Sequence, residues 1–173
     1  MLDQLTLAKR VKEVAYLEGD FTLRSGRKSK YYMDKYLFET QPDILAALAA
    51  RFSARRGPAV TRIAGAELGG VALAAATSMA ANLPFIIVRN SKKDYGTSKL
   101  IEGTLLAGDV VLLVEDIATT GGQVLEAAKV ITGMGATVDK IVAVIDRQEG
   151  ARENIEKAGF VFESILTRAD LGI

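Results

Sequence analysis

The sequence predicts an α/β fold in which a parallel β-sheet carries helices on both faces. Apolar runs such as VVLLVE and KIVAVID alternate along the chain with segments of helical spacing such as LGGVALAAATSMAA. Near-continuous apolar strands indicate burial on both sides, which is typical of parallel sheets. Strict alternation of strands and helices favours a Rossmann-like sheet, and such sheets bind ligands outside the carboxyl ends of their strands.

Each element is predicted from its own pattern of apolar residues. Residues 4–17 have helical spacing, Gly19 is expected to end that helix, and Pro42 is a favourable first residue for the next one. The predicted strands are 21–23, 31–33, 60–65, 85–89, 110–115, 140–147 and 160–166, and the later helices are 42–55, 68–81, 123–135 and 151–159. We expect one domain over 1–173, with 1–40 as a small N-terminal cap on a core of 41–173.

The composition of the chain excludes several kinds of catalytic and binding site. The 173 residues include no cysteine and no histidine, which excludes disulfides, thiolate metal sites and catalysis by a histidine base. The formal net charge is +1, so no overall field indicates nucleic acid or a membrane. Charged residues near the N-terminus interrupt the apolar run that a signal peptide would need, and a cytoplasmic protein is expected.

One stretch, VVLLVEDIATTGGQ, joins a buried strand to paired acids and then to small residues. The segment from Thr119 to Gln123 can direct successive backbone N–H groups to one anion at a helix N-terminus. Glu115 and Asp116 just upstream suit the two hydroxyls of a ribose, so a ribose-phosphate site is one interpretation. An ordinary strand-to-helix turn is the other, because acids, threonine and glycine are common in such turns.

This stretch resembles the PRPP-binding signature of the type I phosphoribosyltransferases. The resemblance implies a PRPP-binding segment made of Glu115, Asp116, Ile117, Ala118, Thr119, Thr120, Gly121, Gly122 and Gln123, and Thr119 would also contact the base. Three further segments, FTLRSGRKSKYYMD, VRNSKKDYGTSKLIEG and VIDRQEGARENI, are similar to the orotate phosphoribosyltransferases within that group.

The resemblance assigns further residues to substrates. Arg24 would meet PRPP from the cap, Tyr32 and Met33 would pack against the base, and Arg147 would bind the carboxylate of orotate. The segment AGAELGG resembles the pyrophosphate-binding loop. Its contacts would come from the backbone N–H groups of Ala66, Glu67, Leu68 and Gly69, where Gly69 stands at a position that is lysine in some members.

Residues 90–99 resemble the mobile catalytic loop of the family. Arg89 and Lys93 match its basic positions, whereas Asn90 stands where lysine is common and Tyr95 where histidine is common. All four would contact PRPP. The resemblance implies a homodimer in which loop residues complete the neighbouring site.

The implied reaction transfers ribose 5-phosphate from PRPP to orotate in UMP biosynthesis, with Mg²⁺ carried in by PRPP and bound directly by no protein residue. Asp116, Lys93 and Arg89 would be the catalytic residues. We expect Asp116 to face solvent at the strand end, so that Asp116→Asn keeps the fold and removes most activity. The alternative is a regulator on the same fold that senses PRPP or a nucleotide.

Overall fold

The computed structural model describes residues 2–22, 26, 28–90 and 100–173. Its helices are α1 (Gln4–Ala15), α2 (Lys35–Glu39), α3 (Pro42–Arg55), α4 (Gly70–Ala81), α5 (Gly122–Gly133) and α6 (Ala151–Lys157). Its strands are β1 (Tyr16–Thr22), β2 (Lys28–Met33), β3 (Arg62–Ala66), β4 (Phe85–Val88), β5 (Ile101–Glu102), β6 (Val110–Ala118), β7 (Thr137–Asp146) and β8 (Phe162–Thr167). The predicted site residues Arg24, Lys93 and Tyr95 lie outside the described residues.

A six-stranded sheet forms the centre of the fold, with strand order β5-β4-β3-β6-β7-β8. All neighbouring strands are parallel except β5, which pairs antiparallel with β4 at one edge. The predicted α/β class is therefore confirmed, with one short antiparallel edge strand added. Parallel pairing brings the carboxyl ends of β3, β6 and β7 to the same edge of the sheet.

Helices cover both faces of this sheet because alternate side chains of each strand point in opposite directions. Leu112 and Val114 of β6 belong to the apolar cluster that includes α1, α3 and α4. Val111 and Leu113 belong to the second cluster, with α5 and α6. Both faces of β6 are thus buried, which explains why its sequence is apolar without a break.

The N-terminal region differs most from the prediction. The first helix ends at Ala15 rather than near Gly19, because Tyr16 and Leu17 pair with Met33 and Tyr32 in the antiparallel hairpin β1–β2. Stacking of Tyr16 on Tyr31, with ring centroids 5.4 Å apart, adds to this pairing. Strand pairing with a distant segment therefore outweighs helical spacing.

The short helix α2 was not predicted at all. It begins after Asp34, whose side chain accepts a hydrogen bond from the backbone N–H of Tyr36, and it places Phe38 and Glu39 in the interior. Among the described residues, no helix is both long and apolar enough to span a membrane.

Candidate active site

The turn after β6 joins the central strand to the N-terminus of α5. Gly121 has a φ of 78°, a left-handed conformation that favours glycine, and a Cβ there would lie 3.0 Å from Cγ1 of Ile155. The side-chain amide of Asn154 donates to the carbonyl of Thr120 at 2.9 Å and holds the turn in place. Within the described part of the chain, no side chain caps the N-terminus of α5, so its first N–H groups are available to an anion.

A cavity of about 410 Å³ opens over this turn. Its wall consists of Tyr32, Met33, Lys35, Glu115, Asp116, Ile117, Ala118, Thr119, Thr120, Gly121, Gly122, Gln123 and Val124. The fold thus brings every residue of the predicted ribose-phosphate segment together with the two predicted base-contacting residues of the cap. A residue that was not predicted, Lys35, joins them.

The paired acids lie inside β6 and are buried, because the strand continues to Ala118. Asp116 is 3% exposed and Glu115 7%, so the expectation that Asp116 faces solvent is wrong. Burial, followed by the negative charge of Asp116, raises the pKa of Glu115 well above its ordinary value. The buried Glu115 Oε2 also has no hydrogen-bond partner among the described residues. A ligand hydroxyl would supply the donor that this atom lacks.

Two residues of α2 complete this acidic cluster. Lys35 Nζ lies 2.6 Å from Oδ2 of Asp116. Glu39 is buried, its Oε1 has no partner among the residues that the structure describes, and burial together with the charge of Asp116 raises its pKa to about 8. Sequence reasoning missed both residues because α2 was not predicted. The signal available was a lysine directly after the YYMD segment and a glutamate one helical turn further on.

The loop from Ala66 to Gly69 follows β3 at the same edge of the sheet. Glu67 accepts a hydrogen bond from the backbone N–H of Asn90 at 2.8 Å, and its carbonyl accepts from the side chains of Asn90 and Gln123. Gln123 also donates to Oδ1 of Asn90 at 3.2 Å. Asn90 therefore ties together the loop after β3, the end of β4 and the start of α5.

Arg89 and Asn90 lie beside a second cavity of about 340 Å³, which shares Gln123 with the first. The guanidinium of Arg89 lies 3.7 Å from Glu67 and 3.8 Å from Glu102, both long for ion pairs. Leu68 in the neighbouring loop is 66% exposed. The wall of the second cavity combines polar side chains such as Arg89 and Asn90 with apolar ones such as Val88 and Leu100.

Arg147 is not part of the wall of the first cavity. It follows β7, its backbone N–H donates to the carbonyl of Ala118, and its side chain contacts the hydroxyl of Tyr31 at 3.2 Å and Glu149 at 3.0 Å. The guanidinium also lies 5.8 Å from the ring centroid of Tyr31. Arg147 is thus tied to the strand that carries Tyr32 and Met33, without facing the same cavity.

The described residues contain no group of three or more acidic side chains arranged to hold a metal ion. Glu115 and Asp116 are adjacent carboxylates, a donor type that Mg²⁺ accepts. Magnesium at this site would depend on the phosphates of a substrate for its ligands.

Comparison with known proteins identifies the class of protein that carries such a site. Residues 27–171 match the family of the phosphoribosyl transferase domain. The chain therefore belongs to the phosphoribosyltransferases. An adenine phosphoribosyltransferase from Leishmania donovani shares this fold, with a TM-score of 0.72 at 19% identity over 98% of this chain and 84% of the other.

Relatives with higher sequence identity show which phosphoribosyltransferase family the chain belongs to. An orotate phosphoribosyltransferase from Natronomonas pharaonis is 44% identical over 99% of this chain and 95% of its own length. The solved orotate phosphoribosyltransferase of Mycobacterium tuberculosis, in complex with Fe(III) dicitrate, has a TM-score of 0.87 at 33% identity, over 99% of this chain and 100% of its own. Within the phosphoribosyltransferases, the chain belongs to the orotate phosphoribosyltransferase family.

Proposed function

We propose that this protein transfers ribose 5-phosphate from PRPP to N1 of orotate and releases pyrophosphate and orotidine 5′-phosphate. The observation that carries the proposal is the cavity in which buried acids, an uncapped helix N-terminus and the cap residues Tyr32 and Met33 meet. These three features suit a ribose, a 5-phosphate and a planar base respectively. The alternative, a regulator that senses PRPP or a nucleotide, is not supported, because these relatives are named as enzymes.

The acids bind the ribose in this proposal. Asp116 and Glu115 accept hydrogen bonds from the ribose hydroxyls, and Glu115 Oε2, which has no partner in the free protein, gains one. Positive charge develops on the ribose ring as the bond to pyrophosphate breaks. Carboxylates held close to the ring stabilise that charge, and a buried site makes the interaction stronger than it would be in water.

Pyrophosphate carries the opposite charge as it leaves. Arg89, Lys93 and Arg24 are the residues proposed to meet it, together with backbone N–H groups of the loop from Ala66 to Gly69. Mg²⁺ bound to PRPP would neutralise part of the charge on the departing group. Proposed contacts to orotate come from Tyr32, Met33, Thr119 and Arg147, whose guanidinium suits a planar carboxylate.

The direct test mixes the protein with Mg²⁺, PRPP and orotate and follows the ultraviolet absorbance of orotate. We expect orotate to be consumed only when PRPP is present, and uracil and hypoxanthine to remain unchanged. Omission of Mg²⁺ should abolish the reaction. PRPP binding by calorimetry without turnover of any base would contradict the proposal and favour a sensor.

A homodimer with shared sites is the second part of the proposal, and complementation tests it. Lys93→Ala and Asp116→Asn proteins, each inactive, are mixed and allowed to exchange subunits. If Lys93 acts on the neighbouring subunit's site, each hybrid dimer has one intact site, and random exchange restores about a quarter of wild-type activity. No recovery in a mixture shown to exchange subunits would contradict shared sites.

A further inference from the structure

The side chain of Lys35 occupies the space next to Gly69. A Cβ added at Gly69 would lie 1.6 Å from Oδ2 of Asp116 and 3.0 Å from Nζ of Lys35. A side chain at residue 69 would therefore have to displace the carboxylate of Asp116. The ammonium group of Lys35, which comes from α2 and not from the loop, lies next to this position.

Gly69 marks one of two helix N-termini that follow neighbouring parallel strands. It is the N-terminal cap of α4, which follows β3, and Gly121 is the cap of α5, which follows β6. No side chain of the described residues caps either helix. The first N–H groups of both helices are therefore available to anionic groups, and Asp116 lies on the strand that leads to the second.

Charge supports a role for Lys35 beyond its ion pair. Among the described residues that line the first cavity, over the turn after β6, Lys35 alone is basic. It adjoins the carboxylates of Asp116, Glu115 and Glu39. Burial favours neutral lysine, but the hydrogen bond and charge of Asp116 outweigh it and raise the pKa of Lys35 above its ordinary value, so the side chain is cationic at neutral pH.

We propose that Lys35 binds the pyrophosphate group of PRPP, supplying from α2 the positive charge that Gly69 does not provide, and at the same time holds Asp116 in place for the ribose. The inference rests on the proposed use of PRPP. An ammonium group has three N–H donors, and the bond to Asp116 uses one of them. The Lys35 side chain remains 29% exposed and can therefore reach a ligand in the cavity.

The test compares three variants by calorimetric titration with PRPP, pyrophosphate and ribose 5-phosphate in the presence of Mg²⁺. Lys35→Met removes the charge and keeps the length of the side chain, and Lys35→Arg keeps the charge. Lys30→Met is the matched control, because Lys30 is a lysine of the same cap whose ion pair with Asp20 is fully exposed to solvent. Thermal unfolding checks that every variant is folded.

We expect Lys35→Met to weaken the binding of PRPP and of pyrophosphate by about 10-fold or more, because a charge-assisted hydrogen bond is lost. Ribose 5-phosphate should bind within about threefold of wild type, since it lacks the pyrophosphate. Lys35→Arg should recover most of the loss, and Lys30→Met should bind all three ligands like the wild type.

Two results would overturn the inference. Unchanged pyrophosphate binding in Lys35→Met would exclude a contact between Lys35 and pyrophosphate. An equal loss of affinity for all three ligands would mean that Lys35 only holds Asp116 in place. The proposed function is judged separately, by orotate turnover in the wild-type protein. Wild-type binding of pyrophosphate without turnover would reject the enzyme and still test Lys35, whereas no wild-type binding of PRPP or pyrophosphate would reject both.

Discussion

Two aspartate ion pairs lie at opposite edges of the same sheet. At the amino ends of the strands, Asp109 pairs with Arg62 at 2.8 Å, and at the carboxyl ends Asp116 pairs with Lys35 at 2.6 Å. Both aspartate side chains are largely buried, but Arg62 is 11% exposed whereas Lys35 is 29% exposed. Distance alone does not distinguish the two pairs.

Their surroundings do. Asp109 also accepts hydrogen bonds from the backbone N–H of Leu106 and the hydroxyl of Thr61. Burial favours the neutral acid, but the bond from Arg62 and these further bonds outweigh it and lower the pKa of Asp109. Asp116 instead adjoins two more carboxylates, Glu39 and Glu115, each with an oxygen that has no partner.

The difference separates a structural ion pair from a binding site. A buried polar group without a partner costs free energy. Asp109 avoids this cost because Arg62, Thr61 and Leu106 all donate to its carboxylate. The cluster around Asp116 keeps it, because Glu39 and Glu115 are buried beside that carboxylate and have raised pKa values. Perturbed acids of this kind are typical of sites that a ligand completes, because binding supplies the missing donors.

The largest expected effect is a loss of stability when the structural ion pair between Asp109 and Arg62 is removed. Asp109→Asn leaves the guanidinium of Arg62 buried without a counter-ion, which should lower the free energy of unfolding by about 3 kcal/mol. Urea denaturation measures this directly. Turnover per folded molecule should remain within about twofold of wild type. A large fall in kcat without loss of stability would contradict the structural assignment.

The matched change at the site, Asp116→Asn, should do the reverse. Loss of the carboxylate that stabilises the ribose cation should lower kcat by about 100-fold or more. Stability should change by no more than about 1 kcal/mol, because the Lys35 side chain is 29% exposed and water can solvate its ammonium group when the carboxylate is gone. Activity within about twofold of wild type would remove Asp116 from the mechanism.

The dependence of stability on pH distinguishes the two pairs again, through Glu39. Because its pKa in the folded protein is about 8, the folded chain holds a proton between pH 5 and 8 that the unfolded chain releases. This contribution to stability is therefore complete at low pH and is lost as pH rises through 8. Its slope is at most about 1.4 kcal/mol per pH unit.

Glu39→Gln cannot lose a proton and should show a flatter decline in unfolding free energy between pH 5.5 and 8. Glu115 keeps the decline from vanishing, because its pKa is raised as well. Urea denaturation at several pH values in this range measures the slope. The same slope in wild type and variant would show that Glu39 is ionised throughout, contrary to its burial without a partner.

The prediction from sequence succeeded where structure is local or periodic. The helix from Pro42 to Arg55 was predicted with its observed bounds, because proline and Asp43 mark its first turn. The central strand and its turn were predicted from the apolar run and the small residues after it. The fold class and the family that the resemblance implies are confirmed by the comparisons.

The parts that failed depend on contacts between distant segments. Lys35 and Asp116 are 81 residues apart, so no local pattern indicates that one neutralises the other. Burial of Asp116 was missed because strand β6 extends beyond the acids to Ala118, where its backbone pairs with Asp146 of β7. The individual roles of the site residues stay predictions, and those of Arg24, Lys93 and Tyr95 concern residues outside the described part of the chain.

The smallest expected effect tests whether hydrogen bonds alone hold the side of the site beside the second cavity. Asn90→Ala removes the side-chain bonds to the carbonyl of Glu67 and from Gln123, both of them near solvent. Each is worth about 1 kcal/mol, so we expect KM for PRPP to rise by roughly 5-fold to 30-fold with little change in kcat.

The control for a general loss of one hydrogen bond is Gln4→Ala. In the wild type the side chain of Gln4 donates to the carbonyl of Ile165 at 2.6 Å, away from the site. It should leave KM unchanged. Asn90→Lys sharpens the test, since lysine can still donate to Glu67 but cannot accept from Gln123. A KM between those of wild type and Asn90→Ala would show that both bonds contribute. A KM below that of wild type would mean that charge at position 90 matters more than the bonds asparagine makes there.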